Sequence, residues 1–397
     1  MNEMPLTGVR VLEICTGYVG PVLGKNLADF GAEVLRVESR RRLDFQRGHG
    51  PGLENKGISF FDCSRNKLGL EIDLTKPEGH RLGIELVNLC DIFIENLGGG
   101  VMKRLCMDWE TVSQVNPSLV MISMQGLGAT EPHSITFGQN LPPIIGLTHL
   151  WNHPGAPEPV GSQIFHPDYF AGVYCTSAAV AALDYRRRTG EGCYLDIAQA
   201  ECAAALLGPW YLEAAVNGRP PQPQGNRSPS AAPQGVYRCA GEDAWCAIAV
   251  ETDAQWEALA GILGTDWARD DRFATSLGRR RHHDELDRRL EEWTGQRSKH
   301  EVMELLQAAG VPAGAVQNSA EVHDDPHLEE RGFLSTLHHA EMGDVAAGGL
   351  AARLSGTPGQ LRRAAPLLGE HTEHVLTDLL GLSAAEIAQL DAAGVFY

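Results

Sequence analysis

The sequence predicts an α/β protein with a doubly wound, Rossmann-like parallel sheet and a second, smaller α+β domain. Short β-branched and apolar runs alternate with amphipathic segments through the first half of the chain. A segment rich in proline and glycine, residues 217–233, interrupts that alternation. The 397 residues are enough to build two hydrophobic cores.

The first half repeats a strand, helix, strand order. Such βαβ units imply parallel strands joined by right-handed crossovers. Residues 168–188 form the clearest helix of this part, because small and apolar residues lead into three arginines and a glycine. The predicted strands are 9–14, 32–37, 91–95, 119–123 and 194–197, and the predicted helices are 22–30, 78–89, 100–104, 109–116 and 168–188.

The domain boundaries follow from changes in composition. A hairpin of strands at 235–237 and 245–250, followed by helices at 253–261, 284–293 and 299–310, predicts the smaller domain. Helices at 366–381 and 384–393 are predicted near the end of the chain. The predicted organisation is a large α/β domain at 1–216, a linker at 217–233, a small α+β domain at 234–311, a return linker at 312–330 and a C-terminal segment at 331–397 that packs back on the large domain.

Composition disfavours several classes of partner. The net charge of -18 opposes attraction to nucleic acid and to anionic membranes, so we expect neither partner. No apolar run approaches the roughly 20 residues that span a bilayer, and residues 1–7 lack a basic and then apolar signal. The nine cysteines form no C-x-x-C pair, and the histidine doublets lack partners at ligand spacing. We expect a cytoplasmic protein without a bound metal.

The loop after the first strand, T-G-Y-V-G-P at 16–21, is the first candidate binding element. It follows a parallel strand at its carboxyl end, where sheets of this class bind ligands. The chain lacks both G-x-G-x-x-G and G-K-[ST], which disfavours a nicotinamide or ATP enzyme. The alternative is a tight turn without a ligand.

A basic cluster follows the second predicted strand. Arg36, the run Arg40, Arg41 and Arg42, and Arg47 stand close together in an acidic chain. Concentrated positive charge suits a phosphate-bearing ligand. The alternative is a solvated surface.

Asp168 is the candidate nucleophile. It directly follows Pro167 at the start of an apolar helix, where an aspartate is ordinarily a cap. Helix N–H groups also favour an ionised carboxylate, which acyl transfer to a carboxylic acid requires. Gly172, one turn later, is predicted to leave space for a ligand.

Four histidines, residues 133, 149, 153 and 166, belong to or border the irregular stretch at 130–167. A general base among them is one interpretation, and surface or capping histidines are the other. No Gly-x-Ser-x-Gly setting accompanies them, which disfavours a hydrolase triad.

The order and spacing of nine motifs resemble those of one enzyme family nearly end to end. The motifs are PLTGVRVLEI at 5–14, DFGAEVLRVES at 29–39, NKLGLEIDL at 66–74, IENLGGGVMKRL at 94–105, NPSLVMISMQGLG at 116–128, DYFAGVYCTSAAVAAL at 168–183, RRRTGEG at 186–192, LLQAAGVPAGAV at 305–316 and LLGEHT at 367–372. The family is the class III CoA-transferases, also called the CaiB/BaiF family.

This resemblance implies an activity. Enzymes of the family move coenzyme A from an acyl thioester to a free carboxylic acid, through a mixed anhydride and then a CoA thioester on an aspartate that matches Asp168. It implies a CoA thioester as co-substrate, no tightly bound cofactor and an interlocked homodimer. The residues that it implies for CoA and substrate binding are Tyr18, Val19, Glu38, Arg40, Arg41, Arg42, Lys67, Asn96, Lys103, Arg104 and Gln139.

The chain departs from the family pattern at three places. Residues 96–100 read N-L-G-G-G where relatives often have an aromatic residue, a cation and a proline. Gln139 stands where the racemase branch has a histidine, and an amide is not a base at neutral pH, which favours transfer over racemisation. Tyr18 replaces the glutamine of formyl-transferring members. The alternatives are an acyl-CoA racemase or isomerase and a non-catalytic CoA-binding homologue.

Overall fold

The computed structural model describes residues 3–50, 52–98, 100–129, 136–159, 161 and 164–397. The chain divides into two compact units. The first unit is Met1–Leu147, Ser162–Gly218 and His327–Tyr397, and the second is Thr148–Gly161 and Arg219–Pro326. The prediction placed residues 148–161 in the large domain, whereas the structure assigns them to the second unit. A hydrogen bond links this segment to the second unit, since the Gly225 N–H donates to the Asn152 carbonyl at 3.1 Å.

The described residues contain eleven strands. They are β1 Arg10–Ile14, β2 Glu33–Glu38, β3 Leu68–Glu71, β4 Ile92–Glu95, β5 Val120–Gln125, β6 Cys193–Ala198, β7 Gln234–Arg238, β8 Trp245–Ala249, β9 Ala313–Ala315, β10 Leu334–His339 and β11 Gly343–Gly348.

Eighteen α-helices lie in the same part of the chain. They are α1 Val19–Asp29, α2 Ile58–Ser64, α3 Pro77–Leu89, α4 Val101–Arg104, α5 Trp109–Val115, α6 Leu141–Ile144, α7 Leu147–Leu150, α8 His166–Thr189, α9 Gln199–Ala204, α10 Gly208–Asn217, α11 Asp253–Leu263, α12 Ser276–Arg281, α13 His283–Thr294, α14 Lys299–Ala308, α15 Ser319–His323, α16 Pro326–Glu330, α17 Thr372–Asp378 and α18 Ala384–Ala392.

The first unit is built on a six-stranded sheet in the order β3-β2-β1-β4-β5-β6. All five pairings are parallel. The chain reverses its direction of travel across the sheet between β1 and β4, which is the place where such sheets bind ligands. The predicted doubly wound fold is therefore confirmed.

Helices cover both faces of this sheet. Successive strand residues point to opposite faces, so Leu12 joins a core with α3 and α18, while Val11 joins a core with α1 and α8. This arrangement explains why the strands read as continuous apolar runs, since both of their faces are buried.

Helix α8 carries the predicted nucleophile and is the longest helix described. Pro167 lies in its first turn, where a missing N–H removes no intrahelical bond. Gly190 ends it in the left-handed conformation, and its N–H donates to the Arg186 carbonyl at 2.8 Å. Three arginines in the last turn face the negative end of the helix dipole.

The second unit combines the antiparallel sheet β7-β8-β9 with helices around one hydrophobic core. The predicted hairpin is β7 and β8. The predicted return linker contains strand β9, which pairs antiparallel with β8. No local sequence pattern indicates β9, because Ala-Gly-Ala has low strand propensity and the position of this strand is set by pairing with β8.

Several other elements were not predicted. Strand β3 is short and contains Gly69, where an added Cβ would lie 2.9 Å from the side chain of Pro366. The hairpin of β10 and β11 and helices α2, α9 and α10 also had no clear periodic signal. The residues after 366 pack on the large sheet, where Val375, Leu376 and Leu390 join the core with β1.

Among the described residues, none of the helices combines the length and the apolar character that crossing a bilayer requires.

Neighbouring leucines of α14 provide a matched test of the second unit's core. Leu306 is fully buried, whereas Leu305 is 41% exposed. We expect Leu306→Ala to lower the free energy of unfolding by about 2–5 kcal/mol, because it leaves a cavity in the core. Leu305→Ala should change it by less than about 1 kcal/mol. Urea unfolding of both variants measures the difference, and similar losses would contradict the packing described for α14.

Candidate active site

The loops after β1 and β4 are joined at the point where the strand order reverses. The Thr16 N–H donates to Asn96 Oδ1 at 2.9 Å, and Asn96 Nδ2 donates to the Thr16 carbonyl at 2.7 Å. The Asn96 amide therefore binds both the backbone N–H and the backbone carbonyl of Thr16. Asn96 was predicted to contact CoA, and in the structure its amide holds the first loop in place.

Asp168 lies in the first turn of α8 and is 6% exposed. Phe165 precedes the helix, and no side chain caps it. The capping interpretation of Asp168 is therefore not supported. Its Oδ2 is buried and has no hydrogen-bond partner in the described part of the chain. A buried carboxylate oxygen with no partner is costly to the fold.

Two effects of opposite sign act on this carboxyl group. Burial raises the pKa of Asp168 from its ordinary 3.8 to about 7, because a charged carboxylate loses hydration. Its own backbone N–H acts in the other direction and lowers the pKa. Near neutral pH the group is therefore divided between the ionised and the protonated form.

Gly138 allows the segment that begins at residue 136 to approach Asp168 closely. A Cβ at this position would lie 1.9 Å from Asp168 Oδ2 and 2.9 Å from the Phe165 Cβ. No side chain larger than hydrogen fits there without a shift. Gln139, the next residue, is exposed, so the structure brings this predicted site residue to the segment that covers the carboxylate.

Aromatic rings connect the first loop to the start of α8. The ring of Tyr18 lies 4.8 Å from that of Phe165 and 5.9 Å from that of Tyr169, and these two residues flank Asp168 in sequence. The Tyr18 hydroxyl donates to Ser59 Oγ at 3.1 Å. Tyr18 and Asp168 thus belong to one cluster, which we call the Asp168 cluster: Tyr18, Gly138, Phe165, Asp168 and Tyr169.

The prediction that Gly172 leaves room for a ligand is wrong. A Cβ there would lie 2.7 Å from Val22 Cγ1 and 3.2 Å from the Val19 carbonyl oxygen. The glycine instead allows α1 and α8 to pack closely. Val19, predicted to bind substrate, is buried in the core between these helices and sheet.

A cavity of about 550 Å³ lies beside the loops that follow β2, β3 and β4. We call it the Arg104 cavity. It is lined by Arg42, Leu74, Thr75, Lys76, Pro77, His80, Val101, Arg104, Leu105 and Cys106. Its floor includes the first turn of α3, where backbone N–H groups favour anions. His80 Nε2 is buried without a hydrogen-bond partner among the described residues.

The run of three arginines is divided among different partners. Arg40 donates to both carboxylate oxygens of Glu71, at 3.0 and 3.1 Å, and Arg41 lies 3.3 Å from Asp73. Arg42 lines the Arg104 cavity and forms no ion pair within the described ranges. Lys103 is exposed on α4, next to Arg104.

The structure does not place Lys67 or Glu38 at a ligand surface. Lys67 is fully buried and donates to both carboxylate oxygens of Glu13, at 2.9 and 2.8 Å. Glu38 is buried and binds Arg47 at 3.0 and 2.7 Å. Arg36 and Arg47, part of the predicted basic cluster, are buried with these carboxylates. The sequence showed these charged residues but not that their side chains are buried.

Of the candidate histidines that the structure describes, two belong to the second unit and one to the first. His133 lies outside the described residues. His149 and His153 belong to the second unit, and His166 opens α8 with its Nδ1 at 3.0 Å from the Ile164 carbonyl oxygen. Within the described ranges, no set of three or more histidine, cysteine or acidic side chains could hold a metal ion.

Three residues of the site were not found from the sequence. Lys76 and His80 line the Arg104 cavity, and Gly138 lies against Asp168. Lys76 could have been found from the sequence, because Pro77 directly after it marks the first position of a helix. Gly138 gave none, because its role depends on a contact with a residue 30 positions away.

Comparison with known proteins identifies the class. The sequence model described as CoA-transferase family III matches residues 6–372. A succinyl-CoA–D-citramalate CoA-transferase of Chloroflexus aurantiacus is 33% identical over 98% of this chain and 98% of its own length. A succinate–glutarate CoA-transferase of Agrobacterium fabrum is 32% identical over 95% and 96%. The crystal structure of a CaiB/BaiF family protein from Brucella suis matches with a TM-score of 0.87 at 30% identity, covering 95% of this chain and all of that one.

The fold and these matches define an enzyme of the class III CoA-transferases. This chain belongs to CoA-transferase family III. The resemblance read from the nine sequence motifs is confirmed.

The raised pKa of Asp168 predicts a stability that depends on pH. A carboxyl group whose pKa is higher in the folded state stabilises the fold fully below about pH 4, and this contribution is lost as pH rises to about 7. Asp168→Asn removes the ionisation. We expect the variant to gain stability over the wild type from pH 4 to 7, by up to about 4 kcal/mol above pH 7.

Chemical denaturation at pH 5 and pH 8 measures this difference. Asp184→Asn is a suitable control, because Asp184 is an exposed carboxylate on the same helix. A difference between Asp168→Asn and wild type that is equal at the two pH values would contradict the raised pKa.

Proposed function

We propose that this enzyme moves coenzyme A from an acyl-CoA thioester to a free carboxylic acid, with Asp168 as its covalent nucleophile. The observation that carries the proposal is the buried Asp168 carboxyl group, whose Oδ2 has no hydrogen-bond partner among the described residues. The relatives named above are CoA-transferases, which supports the reaction class.

The proposed sequence begins with attack of an Asp168 oxygen on the thioester carbonyl carbon. The C–S bond breaks, the CoA thiolate leaves, and a mixed anhydride remains. The thiolate then attacks the Asp168 carbonyl carbon, which releases the donor acid and forms an aspartyl-CoA thioester. The acceptor carboxylate and the thiolate repeat these two steps in reverse, and Asp168 returns as a carboxylate.

A carboxylate suits this exchange because every intermediate retains the activation of the acyl group. A serine ester would lose it. The Asp168 cluster supports the same chemistry, since Gly138, Phe165 and the two tyrosine rings limit access of water to the anhydride. Desolvation also removes the water that would otherwise weaken the nucleophile.

We assign the Arg104 cavity to the nucleotide end of CoA. Arg42, Lys76 and Arg104 supply positive charge, and the first turn of α3 supplies N–H groups. His80 supplies a ring nitrogen that is without a partner in the described part of the chain. In this proposal, Lys67 and Glu38 are not ligand contacts.

We propose a short-chain dicarboxylate system as the substrate class, with succinyl-CoA as the first donor to test. The two relatives named above carry succinate or its thioester in their names. We also propose the cytoplasm as the compartment. All nine cysteines are free thiols, as in a reducing environment.

Trapping with hydroxylamine tests the nucleophile. With succinyl-CoA present, the wild type should give a hydroxamate on Asp168 that peptide mass spectrometry locates, and its yield should rise with pH through about 7 because the ionised carboxylate attacks. Asp168→Asn and Asp168→Ala should give none and should lose at least about 1,000-fold in kcat.

Asp184→Asn is the matched control for trapping, since that carboxylate is exposed on the same helix. Full transfer by a folded Asp168→Ala variant would exclude the proposal. Exchange of solvent deuterium into the acyl α-carbon without an acceptor acid would favour the racemase instead.

Truncated substrates test the Arg104 cavity. We expect Arg42→Ala and Arg104→Ala to raise KM for succinyl-CoA by about 10-fold each, because each loses a cation near phosphate. KM for succinyl-pantetheine, which lacks the nucleotide, should not change. Arg81→Ala is the control, because Arg81 pairs with Glu85 on the exposed side of α3. Equal effects on both substrates would contradict the assignment.

We further propose a homodimer. Large apolar side chains on α8 and α10 of the first unit are exposed: Phe170, Val173, Tyr174, Trp210, Leu212 and Val216. Three- or four-residue spacing places Phe170, Val173 and Tyr174 on one face of α8, and Leu212 and Val216 on one face of α10. Apolar helix faces left exposed in this way mark interfaces. Light scattering should give twice the chain mass of 43.0 kDa, and Val173→Glu with Leu212→Glu should give the monomer. A monomeric wild type would contradict the proposal.

A further inference from the structure

Six charged side chains form a network inside the first unit, beneath the first loop. Each is at most 7% exposed. Three carry positive charge and three carry negative charge, so the group as a whole is neutral. We call it the buried ion network: Glu13, Arg36, Glu38, Asp44, Arg47 and Lys67.

Two members of this network bind the backbone on either side of Tyr18 and Val19. The Gly17 N–H donates to the two carboxylate oxygens of Asp44, at 3.2 and 3.1 Å. Lys67 Nζ donates to the Pro21 carbonyl at 2.9 Å as well as to Glu13. Three acceptors around Nζ match the three N–H groups of an ammonium.

Arg36 joins the two ends of the network. It donates to Glu13 at 2.6 Å and to Asp44 at 2.5 Å. Burial lowers the pKa of Arg36, but the facing carboxylates of Glu38, Glu13 and Asp44 outweigh it and hold the pKa above its usual range. The guanidinium therefore remains charged, and it couples the two contacts with the loop.

A third connection reaches Tyr18 through helix α2. The ring of Phe60 contacts both guanidinium groups: the central carbons of Arg36 and Arg47 lie 4.9 and 3.7 Å from the ring centroid. The preceding residue, Ser59, accepts the hydroxyl hydrogen of Tyr18. Both the backbone and the ring of Tyr18 are thus fixed from the same buried charges.

Stability alone is a weak reason for this arrangement. Buried ion pairs lose hydration that their attraction often fails to restore, and apolar replacements of similar volume are commonly as stable or more so. What charged groups supply is directional geometry. Here the directed hydrogen bonds hold the backbone next to Tyr18. The Tyr18 ring in turn packs against Phe165 and Tyr169, on either side of Asp168.

We propose that Lys67 and Asp44 are positioning residues of the CoA-transfer site, which fix the Tyr18–Val19 backbone relative to Asp168. The proposal rests on the proposed function. It gives Lys67 a role that differs from the CoA or substrate contact implied by the family resemblance. The residues act through the first loop and do not touch substrate.

A double variant tests this proposal. Glu13→Gln with Lys67→Met removes one charge of each sign, so the network stays neutral and the Pro21 contact is lost. We expect kcat for transfer from succinyl-CoA to fall about 10-fold to 100-fold, since small displacements of reacting groups have effects of this size. The Kd of coenzyme A measured by calorimetry should change less than about threefold, because Arg42 and Arg104 are untouched.

A second buried pair is the matched control. Asp29 and Arg65 lie 2.8 Å apart in the same unit, and neither forms a hydrogen bond with residues 15–21. Asp29→Asn with Arg65→Met should lower the midpoint of urea unfolding and leave kcat unchanged. Wild-type kcat in a folded Glu13/Lys67 double variant overturns the proposal. Equal losses of kcat in the two double variants also overturn it, because the network would then act through stability alone.

A comparison at Asp44 covers the case in which the double variant does not fold. Asp44→Asn keeps an oxygen that can accept the Gly17 N–H, whereas Asp44→Ala does not, and the two variants carry the same charge. We expect kcat to be about 10-fold higher for the asparagine variant. Equal values overturn the proposal.

Hydroxylamine trapping separates this proposal from the one on which it rests. Absence of a trapped acyl group in the wild type would contradict the proposed function itself. If the wild type is trapped and the Lys67 and Asp44 variants are trapped at the same rate, only the proposed positioning role is contradicted.

Discussion

The structure depends on a carboxyl group kept away from water at the start of a helix. Helix N–H groups favour its ionised form, and burial favours its protonated form. For Asp168 burial dominates, because neither a side chain nor a cap binds Oδ2 in the described part of the chain. The fold tolerates this cost at Asp168, and the proposed chemistry requires a nucleophile of this kind.

The parallel sheet brings the other parts of the site to the same edge. Reversal of the strand order between β1 and β4 separates their loops, and Asn96 spans that gap by binding both polar groups of Thr16. The buried ion network binds the next part of the first loop, through the Gly17 N–H and the Pro21 carbonyl. The contacts made by Asn96, Asp44 and Lys67 are with backbone groups of the first loop, so these contacts do not depend on the identity of its side chains.

Charge is distributed in a way that composition conceals. The chain carries a net charge of -18, yet arginines and a lysine surround the Arg104 cavity beside the first turn of α3. Other cations that follow β2 are neutralised by nearby carboxylates, as Arg40 is by Glu71. A local positive site in an acidic protein attracts phosphorylated ligands selectively, because the rest of the surface repels polyanions.

The sequence by itself determined the parallel sheet, the βαβ order, helix α8 with Asp168 in its first turn, and the family. Apolar periodicity, caps and motif spacing are local properties, so they can be read along the chain. The tertiary structure decided which charges face a ligand and which face the core. Lys67 and Arg42 look alike in sequence, but Lys67 meets Glu13 inside the unit, whereas Arg42 lines a cavity. The roles of Gly138 and Gly172 likewise depend on contacts between segments far apart in sequence, and no local pattern records such contacts.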